Sequence, residues 1–441
     1  SKRGYTMRFQ QVTTQDIGKA LPPATAAIEF VCFNDSSWIK RSTQGEPMVD
    51  QRCAYYAFVL KSGQEVPQLV YLFDSKRIGN HSIYTTDKKI VQLSVPVDKY
   101  YTTDSLTNLV WAPLRNILTD ITTVYFTPDG ELYRIAIENL PGAEQWRLHR
   151  LSSSRELVTC RHYNKQKNVV LYGGIKYELS SDERLISAQN DVAVETFRDV
   201  PLLRGAVSAV EYLPGSLREV EVISKQLQEQ KMHVESLTQA AGTEESFKQL
   251  SGQAIDILHL STHGFYDKIQ DEATSNLNRV VSASEQQQLQ RSEDRSLSRT
   301  GLLLAGASDF LTGGVADNAS STGDDGILTA KEVSRLDLNS VSLVALSACE
   351  TALGIITSDG VNGLQRGFKK AGAQSILMSL WKVDDEATCL LMTEFYRYWI
   401  AEGMTKHDAL ELAKQSVRAQ KDKGWNDPKY WAAFILLDGL D

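Results

Sequence analysis

The sequence predicts an α/β protein built on a mostly parallel sheet flanked by helices. Two observations carry this. Short apolar runs rich in β-branched and aromatic residues recur along the chain, and segments with apolar residues at helical spacing alternate with them, most cleanly after residue 169. Such alternation implies parallel strands joined by helical crossovers that cover both faces of the sheet.

Taken in order, strands are expected over residues 26–33, 54–60 and 69–73, and a helix over 106–118, where Leu109, Trp111 and Leu114 lie near one another. A short strand over 123–126 ends at the turn Pro128-Asp-Gly130. The polar, lysine-bearing stretch 161–168 is the expected linker, which divides the chain into an α/β half over 1–160 and a second half over 169–441. In that second half, strands are expected at 169–172, 232–237, 255–260, 301–304, 341–348 and 375–380. Helices are expected at 217–231, where Val220, Ile223 and Leu227 share a face, and at 244–250, 329–336, 361–370, 386–402 and 406–421.

The 441 residues are enough for two or three domains, and 42% hydrophobic with 23% charged residues is ordinary for a globular protein. A net charge of −8 and the absence of a long basic run argue against nucleic acid as a partner. The five cysteines (32, 53, 160, 349 and 389) are odd in number and scattered, which argues against a disulfide framework and against a zinc site and implies a reducing, cytoplasmic compartment. No run approaches the ~18 apolar residues of a membrane span, so no membrane partner is expected. Gly173-Gly174 leads into Ile-Lys-Tyr and not into a phosphate loop, and no cofactor is implied. The chain opens Ser1-Lys-Arg-Gly without an initiator Met, so a preceding region is expected.

Chemistry concentrates at two strand ends. The run Val341-Ser-Leu-Val-Ala-Leu-Ser-Ala-Cys349 delivers a thiol where the pattern turns polar, and Ile255-Asp-Ile-Leu-His-Leu260 leads into Ser261-Thr-His263-Gly264. In an open α/β sheet the carboxyl ends of the strands line one crevice. A free thiol with a pKa of ~8.5 is mostly protonated at neutral pH, and a neighbouring imidazole raises its thiolate fraction. His263 is the expected base for Cys349, and the backbone N–H groups of Gly264 and Cys349 are the expected oxyanion donors. The competing reading makes Cys349 a small buried hydrophobe and His263 a turn residue. The polar stretches 267–299 and 312–325 read as loops beside this crevice, and Asp324-Asp325-Gly326 as a solvated turn in preference to a calcium loop.

Several motifs in order resemble the CHAT-domain proteases, relatives of caspases and separases. They are Leu258-His-Leu-Ser-Thr-His-Gly264, Gly326-Ile-Leu-Thr-Ala-Lys-Glu332, Leu346-Ser-Ala-Cys-Glu-Thr351 and Trp381-Lys-Val-Asp-Asp385, with Tyr125-Phe-Thr-Pro-Asp-Gly130, Ser153-Ser-Arg-Glu-Leu157 and Tyr430-Trp-Ala-Ala-Phe434 in support. The resemblance implies a caspase-like fold, a His263/Cys349 dyad without a metal, and cysteine endopeptidase activity on a specific protein substrate. It also implies that residues 1–160 form a non-catalytic, pseudo-caspase-like scaffold. His259 is expected to be a satisfied core histidine. Ser-Ala-Cys-Glu-Thr departs from the caspase Gln-Ala-Cys-x-Gly signature, so aspartate specificity is not carried over.

Asp384 and Asp385 look like the separase segment whose acidic residue receives a basic P1 side chain, and a carboxylate there would bind guanidinium bidentately. Opening the next helix is the other role open to them. Relatives commonly follow a tetratricopeptide (TPR) region and include bacterial defence proteases that cleave a companion effector such as a gasdermin. The expected partners are therefore a protein substrate and a TPR region or regulatory partner. A catalytically silent, caspase-like interaction module is the alternative.

Overall fold

The computed structural model describes residues 11–34, 39–41, 47–49, 53–78, 84–86, 89–91, 100–159, 167–180, 182–183, 210–266, 296–312, 325–347, 354–357 and 360–440. The chain divides into two compact units, one of Ser1–Asp129 and Ile137–Arg161, the other of Gly130–Ala136 and His162–Asp441. Most of the expected linker and of the two polar stretches lies outside the described residues.

In the first unit a helix, α1 (Thr14–Ala20), precedes strands β1 (Thr25–Asn34), β2 (Cys53–Lys61), β3 (Gln68–Asp74), β4 (Thr123–Thr127) and β5 (Arg147–Arg150). They lie in the order β5-β4-β1-β2-β3, parallel across β5-β4-β1 and antiparallel beyond. Phe30, Trp111 and Phe126 meet edge to face with centroids 5.8–6.3 Å apart, the arrangement aromatic quadrupoles favour. The helix expected over 106–118 is corrected to one α-turn, Thr107–Val110, followed by a 3-10 turn at Ala112–Leu114. Pro113 supplies the reason, since it lacks the N–H that a continuing helix needs. Strand β5 was not foreseen because two of its four residues are arginines. Arg150 is nonetheless buried, held by a two-point ion pair to Glu138 (Nε–Oε1 2.9 Å, Nη2–Oε2 2.8 Å).

The second unit begins with β6 (Asn168–Ile175), α2 (Pro214–Glu229), β7 (His233–Gln239), α3 (Glu244–Lys248) and β8 (Ile257–Leu260). It continues with β9 (Gly264–Tyr266), β10 (Thr300–Leu303), β11 (Ile327–Thr329), α4 (Ala330–Val333) and β12 (Leu343–Leu346). The last elements are α5 (Leu364–Ala371), β13 (Ser375–Ser379), α6 (Asp385–Tyr396), α7 (Lys406–Arg418) and β14 (Phe434–Leu437). Its sheet runs β7-β6-β8-β12-β13-β14, all parallel except the antiparallel β14. Strands β8, β12 and β13 are buried at every position, which is why they read as nearly continuous apolar runs, interrupted only by His259 and the end serines of β13. Tyr172 packs on Phe247 of α3, and Phe247 on Phe368 of α5, so these helices cover one face. Gly173, its neighbour on β6, points the other way, where an added Cβ would meet Val220 of α2 at 2.5 Å. A mixed α/β fold with a mostly parallel sheet between helical layers is thus what the chain adopts.

Two further boundaries are corrected. The helix expected from 361 starts at Leu364, because Gly360–Gly363 pairs antiparallel with Gly354–Thr357. Helix α6 ends at Tyr396 and widens into a π-turn over Arg397–Ala401. At the Asp325-Gly326 turn, Asp325 Oδ1 accepts from the Ile327 N–H (2.9 Å), and Gly326 takes φ +76°, where a Cβ would lie 2.7 Å from Ala307 N. No helix among the described residues is long and apolar enough to cross a membrane.

Candidate active site

Strands β8 and β12 are neighbours in register, with Leu260 opposite Leu346, so both chains leave the sheet at the same level. The Ser347 N–H donates to the Leu260 carbonyl (2.9 Å), and the Ser261 N–H to the Tyr172 carbonyl (2.8 Å). From the first strand end the chain reaches His263. From the second it runs through Ser347 toward Cys349, which lies outside the described residues, as does its N–H.

His263 is half-buried and held on two sides. Its Nε2 lies 2.7 Å from the carbonyl oxygen of Glu211. A carbonyl can only accept, so Nε2 carries the proton and, in the neutral ring, Nδ1 carries the lone pair. The Tyr177 ring flanks the imidazole at 5.3 Å between centroids. Below it, the Thr262 hydroxyl donates to the Leu303 carbonyl (2.5 Å), and the Leu303 N–H donates to the His263 carbonyl (2.9 Å). Gly264 opens β9 opposite Leu302, and that ladder bond does not draw on the Gly264 N–H.

Asp384 and Asp385 take different positions. Asp384 is the N-cap of α6 and accepts from the Ala387 N–H (3.1 Å), the capping role its sequence position allowed. Asp385 Oδ2 accepts from the Gly215 N–H (2.8 Å) in the first turn of α2, an end whose dipole favours a carboxylate. Burial raises the Asp385 pKa above its ordinary value of 3.8. The Gly215 bond opposes this, the charges of Glu219 and Asp384 add to it, and His263 acts the other way. Asp385 and His263 therefore share one electrostatic neighbourhood.

His259 is fully buried and partnered, as expected of a core histidine. Its Nε2 lies 2.8 Å from Glu219 Oε1, and its Nδ1 lies 3.3 Å from the Tyr396 hydroxyl. Glu219 Oε2 in turn accepts from the Ser347 hydroxyl (3.0 Å). Sequence reasoning missed the whole contribution of 211–219: the Glu211 carbonyl, the Gly215 N–H, Ser216 and Glu219. A signal for the last two was present, since Ser216 and Glu219 continue the buried stripe of Val220, Ile223 and Leu227 at helical spacing.

An imidazole held at one strand end, beside a second strand whose chain leads on to a cysteine, is what this α/β protein with a mostly parallel sheet presents. The CHAT domain family model matches residues 102–439, and the chain belongs to the CHAT-domain family. Tetratricopeptide repeat protein 28 of Mus musculus and that of Homo sapiens are each 37% identical to it over 111 residues, 25% of this chain. The chain spans only 4% of the length of those relatives. Among solved structures, the Arg-specific cysteine proteinase gingipain R is similar with a TM-score of 0.42 at 9% identity, covering 75% of this chain and 67% of that one. The Saccharomyces cerevisiae separase–securin complex is similar with a TM-score of 0.38 at 10% identity, covering 75% and 17%.

Proposed function

We propose that the chain is a cysteine endopeptidase acting on a protein substrate, with Cys349 as nucleophile and His263 as its base. The observation that carries this reading is the bond from His263 Nε2 to the Glu211 carbonyl, which orients the ring and reserves Nδ1 as the proton acceptor. The Cys349 thiol gives its proton to Nδ1, and the thiolate attacks the scissile carbonyl. The N–H groups of Gly264 and Cys349 hold the tetrahedral oxyanion. His263 then returns the proton to the leaving amine, and a water deprotonated by the same ring releases the acyl-enzyme and restores the thiol.

Asp385 is our choice for the group that receives a basic P1 side chain, because Asp384 is engaged as a helix cap. Residues 1–160 act as a non-catalytic scaffold, and a TPR region is the regulatory partner, in keeping with the names of the curated relatives. The substrate is a companion effector, of gasdermin or another type, in a defence setting. Incubation with proteins encoded beside this one, read by mass for new termini, identifies it.

Thiol reactivity tests the chemistry without a substrate. Burial pushes the Cys389 thiol up to about 11, and a hydrogen bond with Cys53, followed by burial, raises Cys32. At neutral pH Cys389 is then ionised at only about one part in ten thousand. Iodoacetamide should label Cys349 first, Cys349→Ala should abolish the fast phase, and His263→Ala should slow it about 100-fold. Equal labelling of all five cysteines would leave the interaction module as the better reading.

A further inference from the structure

We propose that Glu219 is a positioning residue for the His263/Cys349 pair: by accepting from His259 and Ser347 at once, it sets the offset of the two strand ends from which imidazole and thiol depart. This rests on the protease reading above. The carboxylate is 1% exposed on α2, with His259 at the middle of β8 on one oxygen and Ser347, one residue past β12, on the other. Both oxygens reach their donors only while β8 and β12 keep one relative position.

The proton order of this chain can be assigned. A carboxylate accepts, so His259 Nε2 and the Ser347 hydroxyl donate to Glu219. With the proton on Nε2, the uncharged tautomer leaves Nδ1 as an acceptor for the Tyr396 hydroxyl 3.3 Å away, so both ring nitrogens have a partner. A buried carboxylate is costly, and an apolar side chain of similar volume is often as stable or more so, which makes stability a weak reason for a Glu here.

The placement supplies a better one. Among the described residues, the bond from the Ser347 N–H to the Leu260 carbonyl is the last backbone tie between β8 and β12. Glu219 adds a side-chain tie at that level. From there the chain has three residues to His263, so a shift of the strand ends carries the imidazole with it, and Cys349 follows Ser347 by two residues in sequence. The same helix grips a third strand end, because the Ser216 hydroxyl donates to the Ser261 carbonyl (2.5 Å) and accepts from the Gly174 N–H (2.8 Å).

The test uses the full chain and iodoacetamide, comparing Glu219→Gln and Ser347→Ala with the wild type. Gln keeps the size but offers one acceptor and one donor in place of two acceptors, and Ser347→Ala removes one arm outright. The expected result is a fall of about tenfold or more in the Cys349 alkylation rate per folded molecule, the scale on which supporting partners act at other sites. The pH profile of alkylation should move as well, while the circular dichroism melt stays cooperative. A structural role alone would lower the melting temperature yet leave the rate per folded molecule and its pH profile unchanged, and that result overturns the proposal. Should Glu219→Gln fail to fold, Ser347→Ala decides by the same readout. If wild-type Cys349 reacts no faster than the other cysteines, the protease reading itself fails, an outcome visible before any variant is made.

Discussion

Asp385 keeps one oxygen on the Gly215 N–H, and burial holds its folded-state pKa above the ordinary 3.8. The folded protein thus binds this proton more tightly than the unfolded chain. The stability that follows is fully present below 3.8 and is lost as pH rises through the folded-state pKa. Binding a cationic P1 side chain has the opposite demand, since only the ionised carboxylate attracts it. For a peptide with Arg at P1, KM should therefore climb as pH falls through the raised Asp385 pKa, starting above 3.8. Asp385→Asn should raise KM at neutral pH by about 10- to 100-fold, the worth of a charge-assisted hydrogen bond, and remove that acid limb. Gly215→Ala offers a second route to the same loss, because its Cβ would lie 2.1 Å from Asp385 Oδ2 and displace the carboxylate. KM values for Arg peptides that match the wild type in both variants would take Asp385 out of the pocket.

Helix α2 shows what a sequence discloses about an element and what it withholds. Its apolar stripe of Val220, Ile223 and Leu227 identifies a helix lying on a sheet, and the buried runs of β8, β12 and β13 identify central parallel strands, because periodicity reports burial directly. His263 and its strand end were visible for the same reason. The polar grip of α2 was not, since Glu211 acts through a carbonyl, Gly215 through an N–H, and Ser216 and Glu219 through partners about 40 or more residues away. The helical stripe marks Ser216 and Glu219 as facing the sheet, but nothing local says which distant groups they hold. Strand β5 hid likewise, because Arg150 owes its burial to Glu138 rather than to apolarity. Ser216→Ala would strand two buried backbone groups, the Ser261 carbonyl and the Gly174 N–H, each worth about 1–3 kcal/mol. Urea denaturation should show a loss of about 2–6 kcal/mol. A loss below about 0.5 kcal/mol would mean that water replaces the hydroxyl and that α2 does not brace the strand ends.

At the scale of the whole chain, the two units part at Arg161/His162, inside the polar stretch 161–168, with one exchange upstream of it. Gly130–Ala136 belongs with the second unit, whereas Ile137–Arg161 returns to the first. A chain beginning at His162 would therefore lack a piece of the unit that carries His263. That piece is not peripheral: Leu132 and Ala136 are fully buried, Ile135 nearly so, and the turn packs against the hairpin of Gly354–Thr357 and Gly360–Gly363, which follows Cys349 in sequence. Burying a Leu contributes about 2–3 kcal/mol, a large share of the 5–15 kcal/mol net stability of a domain. Residues 162–441 alone should thus melt well below the full chain, and their Cys349 should lose its selective reaction with iodoacetamide. In the full chain, Leu132→Ala should cost about 2–5 kcal/mol by removing the core of the turn, and it should slow Cys349 labelling in the same direction. An isolated 162–441 with the wild-type melt and labelling rate would show instead that the turn is dispensable and that the second unit is complete from His162.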